Sequence, residues 1–340
     1  MYKFFLTIIS PLFTAAHLFS QSRTEDFKLG SPELKVPNSL YSSIQYVDSR
    51  YDTTSMGIVQ LGAFNRKARV IPKIPFSIQL TNVMHGLIDS SAKKAELLFQ
   101  FRQFNFAEIT GVVSEKGYCY IRADLYASKS GRYQKLSSID TVLLVKSMDV
   151  TRALLRNGSK VISSFIADNL LKEPVDSSAY TFNDILHMDS IEKRKIALYN
   201  TTTYVDGLYT SYASFMNQVP DKQVTIEEKK GKISSVKMAA ENGQMLKVKR
   251  KDVYAIVYKE QPYIATEYDY YPLEKRDDDF YFTGKAKVTA DQGAVLAASF
   301  FFGIIGGLIA SDADATFDMK IEHSNGGFIR LREIKTIAEN

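Results

Sequence analysis

The chain has 340 residues, with an apolar fraction of 45% and a charged fraction of 24%; this excludes a disordered polymer and leaves room for two cores. Its net charge of +5 is too small and too spread out to form the basic footprint of a nucleic-acid binder. A single cysteine, Cys119, excludes an intramolecular disulfide.

Residues 1–20 read as a secretory signal peptide. Lys3 supplies the positive end, "FFLTIISPLF" an apolar stretch too short to span a bilayer, and small residues near Ala16 and Ser20 offer cleavage sites. The protein is therefore expected to be exported, to the periplasm or in association with an envelope membrane. Cleavage leaves no terminal cysteine, so a thioether-linked lipid anchor is not expected. Residues 21–43 are polar and contain Pro32 and Pro37, which reads as a linker.

Residues 44–174 read as an α+β domain. Strand-like sequence runs from Tyr46 to Gln60. Phe76, Leu80, Val83, Met84, Leu87 and Ile88 follow at helical spacing, with Pro75 at the first turn. In "ELLFQFRQFNFAE", Leu97, Phe99 and Phe101 share one parity, whereas Phe104 and Phe106 fall on the other. A bulge at Arg102 or Gln103 would return all five to one face. In "GYCYIRADLYAS", Cys119, Ile121, Ala123, Leu125 and Ala127 alternate with Tyr118, Tyr120, Arg122, Asp124 and Tyr126, the pattern of a half-buried strand. Cys119 lies on its apolar side, as a small buried hydrophobe would. "SSIDTVLLVKS" is a further strand. Asp149 then caps a helix from Val150 to about Lys172, ended by Pro174. These elements make an antiparallel sheet with helices on one face.

In order and spacing, residues 46–172 resemble the auxiliary lipoproteins of ABC-type lipid-transport systems, which share the helix, the "F…F" strand, a strand like "YIRADLYAS" and a long final helix. The resemblance implies a non-enzymatic accessory of envelope transport. This chain departs from those proteins in lacking their lipidated cysteine.

Residues 175–340 read as a β-rich domain, an antiparallel meander or small barrel. Asp206-Gly207 marks a turn, and Ser211 to Asn217 a short helix before Pro220. Strands follow in "VTIEE", "ISSVKMAA", "MLKVKR", "VYAIVYK" and "YIATEYDYY", with a hairpin signal at Asn242-Gly243. "TFDMKIEHSNGGFIRLREI" reads as a terminal hairpin turning at Asn325-Gly326. "YVDGLYTSYASF" resembles the start of domains in uncharacterised secreted bacterial proteins, a likeness that implies no activity.

The sequence assigns no catalytic residue, cofactor or metal site. His85, His187 and His323 are isolated along the chain, and no nucleophile elbow, phosphate loop or dinucleotide fingerprint occurs. Asp277, Asp278 and Asp279 read as a solvated turn. Lys247, Lys249, Arg250 and Lys251 are candidates for contact with an anionic surface.

The most distinctive segment is the uncharged run 292–311. At helical rise it matches one hydrocarbon thickness, and Ser299, Gly303, Gly307 and Ser311 recur every four residues along one face. Gly306 beside Gly307 would break a helix into a returning hairpin. The run is expected to span a membrane, to insert as a loop or associate with copies of itself, or to be buried in the protein's own fold. The leading expectation is a non-enzymatic envelope protein, an accessory in transport or assembly, whose partners are a membrane, a second copy or another envelope protein, and not nucleic acid. The alternatives are a secreted carboxylate-dependent hydrolase or glycan-processing enzyme, and a soluble exported ligand-binding protein.

Overall fold

The structure is a computed structural model that describes residues 23–32, 34–62, 64–110, 115–147, 149–175, 178–240, 242–285 and 316–334. The signal-peptide reading of 1–20 and the apolar run 292–311, with Ser299, Gly303, Gly306, Gly307 and Ser311, lie outside them.

The fold is α+β. The first half is β1 (Arg23–Phe27), β2 (Tyr41–Asp48), β3 (Gly57–Leu61), β4 (Arg66–Pro72), α1 (Phe76–Leu87), β5 (Ala95–Thr110), β6 (Glu115–Lys129), β7 (Arg132–Val145) and α2 (Val150–Ala167). The three long strands β5, β6 and β7 form an antiparallel meander. β5 is long enough to share one edge between two parallel partners. β2 runs beside its first part, and β3 joins at Phe106 and Ala107. β4 pairs antiparallel with β3, and β1 parallel with β4.

The presumed linker is thus partly structural. β1 is built into the sheet, Phe27 is completely buried, and Leu29 is core. "RTEDF" carries one apolar side chain and no alternation. Its place in the sheet comes from backbone pairing with β4, which side-chain pattern does not report.

The bulge is where the aromatic parity requires it. Phe101 pairs with Ala123 and Gln103 with Arg122, so Arg102 is the extra residue. Leu97, Phe99, Phe101, Phe104 and Phe106 consequently lie in one core with α1 and α2. The Phe101 and Phe104 rings stack with centroids 4.9 Å apart. Each such buried ring contributes about 1.5–3 kcal/mol. Asp149 caps α2 by accepting from the Arg152 N–H. Gly158 lets this helix lie close to the sheet, since a Cβ there would sit 2.9 Å from the Phe106 ring and 3.1 Å from Cys119 Sγ. Cys119 is fully buried, and burial pushes its thiol pKa well up, so it is an inert hydrophobe.

β6 is buried on both faces, not one. Tyr118, Tyr120, Arg122, Asp124 and Tyr126 are buried, as the apolar set is. The cover comes from the second half of the chain, where β8 (Ala179–Tyr180) pairs with β7 and is followed by α3 (Phe182–Leu186), α4 (Met188–Lys193) and α5 (Ala197–Asn200). Ile185 and Met188 pack there with Leu98 and Tyr126.

The rest is β-rich: β9 (Gly207–Tyr209), α6 (Tyr212–Met216), β10 (Thr225–Lys229), β11 (Lys232–Ala239), β12 (Met245–Lys247), a 3-10 turn at Arg250–Asp252, β13 (Ala255–Tyr258), β14 (Gln261–Ala265), β15 (Tyr270–Pro272), β16 (Glu274–Arg276), β17 (Asp279–Gly284), β18 (Thr316–Ile321) and β19 (Phe328–Ile334). All pairings here are antiparallel, in sheets ordered β10-β11-β12, β15-β14-β13-β9 and β16-β17-β18-β19. The last two share a core that includes Tyr209, Val257, Phe280, Phe282, Phe317 and Phe328. Ser211 caps α6 through a capping box. Asp277 and Asp278 both have positive φ and form the tight turn between β16 and β17. Asp279 departs from the solvated-turn reading: it is buried and bridges Lys193 at 2.6 Å and Lys320 at 2.8 Å.

The terminal hairpin joins the preceding sheet, because Gly284 of β17 lies opposite Phe317 of β18. Residues 285–315, the apolar run among them, thus connect two neighbouring antiparallel strands.

Candidate functional site

The one cluster of His, Cys, Asp or Glu side chains among the described residues with metal-ligand convergence lies where the two halves meet. It consists of Asp189, Glu192 and His323, and the ionic network around it draws on several places in the chain. The β5 bulge delivers Arg102, and the neighbouring strand β6 delivers Arg122 and Asp124 from the face opposite the phenylalanine core. α4 presents Asp189 and Glu192, three apart and so on one helix face. The end of β18 and the turn after it bring Glu322 and His323.

Glu192 is the hub. Its Oε2 accepts from Arg102 Nη2 at 2.8 Å, Arg122 Nη2 at 3.0 Å and His323 Nε2 at 2.8 Å. Arg102 also bonds Asp124 at 3.0 Å and contacts Asp189. Arg122 reaches Glu322 at 3.0 Å, and His323 Nδ1 lies 3.1 Å from the same Glu322 oxygen. Lys135 Nζ adds a contact to Asp124 at 2.9 Å. A neutral imidazole has only one N–H, so bonding both carboxylates calls for the doubly protonated ring. The tally then balances, with Arg102, Arg122, Lys135 and His323 against Asp124, Asp189, Glu192 and Glu322. Asn325 Nδ2 donates to the Tyr120 hydroxyl at 2.9 Å, a neutral tie across the same seam.

The electrostatics follow from this packing. Burial alone would raise the Glu192 pKa, but the His323 and Arg102 bonds and the two guanidinium charges outweigh it and hold it far below the carboxylate range. Glu322 behaves likewise, with burial opposed by His323 and Arg122. Burial disfavours the imidazolium of His323, yet its bonds to Glu192 and Glu322 prevail and raise its pKa above 6.5.

This chemistry suits a joint better than an active site. A general base works best with a pKa near the working pH, and these carboxylates are held far below it. Asp189, Glu192 and His323 offer ligand atoms within 4.8 Å of one another. The Arg102 guanidinium already contacts both of those acids, so a divalent cation would have to settle against a fixed positive charge. The cluster instead locks α4 and the β18–β19 turn onto the β5–β6 face.

Sequence reading missed this site, because its members are up to about 200 residues apart in the chain. The legible signals were Arg122 and Asp124 on a strand flanked by tyrosines, the Arg102 bulge, and the Asp189/Glu192 spacing. The sequence-predicted cationic residues lie elsewhere. Lys247, Lys249, Arg250 and Lys251 are all exposed, on and just after β12.

No family model matches the chain, and no curated protein matches it. Among solved structures, a Xanthomonas campestris protein described under the family model DUF330 superimposes with a TM-score of 0.29 at 11% identity, covering 50% of this chain and 99% of that one. A likeness of this size does not extend to activity or partners.

Proposed function

We propose that this chain is a non-enzymatic, exported cell-envelope protein, an accessory in transport or envelope assembly. Its folded body holds an apolar, glycine-striped segment against a membrane or against the same segment of another copy. The observation that supports this reading is the pairing of β17 with β18. Connections between adjacent antiparallel strands are usually two to about five residues, and much longer ones are mostly functional or linker segments. Here the connection runs from 285 to 315 and contains an uncharged run, 292–311, with small residues every fourth position. Such a run prefers hydrocarbon or a closely approaching neighbour to water.

The same pairing favours one mode of insertion over another. A single crossing would put β18 and β19 on the far side of the bilayer from β17 and forfeit that pairing. A segment that enters and leaves on one side keeps it. The body needs no catalytic centre for this role, and the saturated ionic joint fits a rigid mount.

Fractionation of cells expressing the full chain tests the reading, with alkaline extraction of membranes and sizing in mild detergent. The wild type is expected to stay with membranes, and Gly303→Asp to lose membrane retention or self-association. A wild type that is wholly soluble and monomeric would overturn the proposal.

A further inference from the structure

We propose that the exposed strip from Met245 to Lys251 is a docking surface for an anionic lipid bilayer, set beside the point where the chain departs into residues 286–315. This rests on the membrane reading above and names the chemistry of the surface it meets.

The strip combines two features that solvated faces seldom combine. Lys247, Lys249, Arg250 and Lys251 are all exposed, with Asp252 the one acid in the run 245–253. Directly before them, Met245 is 45% and Leu246 44% exposed, and Met245 shares the face of β12 that carries Lys247. Among the described residues, β12 is also an edge strand, paired only with β11. Apolar groups that can enter the acyl boundary, flanked by cations that can meet phosphates, make up the composition of an interfacial contact.

Placement supplies the second argument. Arg250 Nη2 donates to the Glu267 carbonyl at 3.1 Å, and the adjacent Thr266 hydroxyl donates to the Lys285 carbonyl at 2.9 Å. Tyr271 packs against Gly284, where a Cβ would lie 2.7 Å from its ring. The cationic turn is therefore tied, through two neighbouring residues of one loop, to the last residue before the apolar connection. A cavity of about 310 Å³ opens at the turn, lined by Arg250, Lys251, Thr210, Thr266, Tyr254 and Phe328 among others. Its lining mixes cations, hydroxyls and aromatic rings. Asp252 and Glu267 also border it and offset part of its positive charge.

Nearby, Lys237 of β11 is bridged to Glu227 at 2.6 Å, and Lys259, in the turn after β13, to Glu228 at 3.2 Å.

The experiment is vesicle flotation of the full mature chain, with phosphatidylcholine alone and with an equimolar phosphatidylcholine–phosphatidylglycerol mixture, at low and high salt. The variants are a charge-neutralised strip (Lys247→Gln, Lys249→Gln, Arg250→Gln, Lys251→Gln) and, separately, Gly303→Asp. Each basic residue near an anionic surface is worth about 1 kcal/mol. Wild type is expected to partition at least about tenfold more into the anionic vesicles at low salt. The strip variant should lose that preference while melting as wild type does, and Met245→Ser should lower binding to both vesicle types. Equal partitioning of wild type into both vesicles, or a strip variant that keeps the preference, overturns the inference and leaves the apolar-insertion reading standing. Wild type that binds neither vesicle overturns both this inference and the membrane form of the proposed function. Inorganic phosphate that abolishes the preference without ionic-strength controls doing the same, or a dimer that forms through the strip in solution, would assign the surface to a different occupant and refute the lipid.

Discussion

Replacing Glu192 by Gln removes one negative charge from a joint that holds two buried guanidiniums. Arg102 and Arg122 have side chains only 2% and 11% exposed, and Glu192 is 28% exposed. Breaking a fully buried pair by deleting one partner costs about 3–5 kcal/mol. Two features reduce that figure here. Water reaches part of Glu192, and the cations keep other partners: Arg102 retains Asp124 and Asp189, and Arg122 retains Glu322. The expected loss is about 2–3 kcal/mol, at or below the lower end of the range for a fully buried pair. At about 2–4 °C per kcal/mol for larger domains, the melting midpoint should fall by about 5–10 °C. Thermal melts by circular dichroism, backed by urea titration at pH 6, give the number. The joint ties α4 and the β18–β19 turn to the sheet, so the variant should also separate unfolding into two transitions, the β-rich half melting first. A midpoint within about 2 °C of wild type, with a single transition, would refute the claim that Glu192 is the hub.

The same joint predicts a pH profile. Glu192 and Glu322 have pKa values lowered from 4.5, so their contribution is complete above that value and is lost as pH falls through their folded values. His323 has a pKa raised from 6.5, so its contribution is complete below 6.5 and is lost as pH rises through its folded value. Stability should therefore be greatest between about pH 4.5 and 6.5, and His323→Phe should flatten the alkaline side and, by removing a bond that lowers the Glu192 and Glu322 pKa values, also weaken the acid side; an unchanged alkaline slope in that variant would count against the assignment. Gly57→Ala probes the parallel contact of β3 with β5. Gly57 has φ +88°, and a Cβ there would lie 2.1 Å from the Phe106 carbonyl oxygen. Backbone strain of about 1–3 kcal/mol plus a clash that no side chain can relieve should cost at least about 2 kcal/mol in urea unfolding, and a neutral substitution would disprove the close approach.

Local pattern carried much of the first half. The parity break between Phe101 and Phe104 required a bulge, and the bulge is at Arg102, because five large apolar rings and chains have one core to enter. The Asp149 cap and the helix after it follow from local hydrogen bonding that needs no distant partner. β1 was illegible, since an edge strand with a single buried side chain is recruited by its neighbour's backbone. The same limit applies to β6. Its tyrosines and charges alternate as a solvent face would, and only the arrival of α4 and the β18–β19 turn from the far end of the chain buries them.

The sequence by itself determined the class of the fold, the apolar faces of the long strands and helices, and the presence of an uncharged glycine-striped run, because each is written in residues close together in the chain. Only the tertiary structure decided that β17 and β18, the strands before and after the segment containing that run, pair with each other, that Arg250 and Lys285 bond to neighbouring residues of one loop, and that Arg102, Arg122, Lys135 and His323 meet Asp124, Asp189, Glu192 and Glu322 in one charge-balanced joint. Those facts depend on which distant segments meet, and Coulomb and hydrogen-bond energies act between neighbours in space, whatever their separation in sequence.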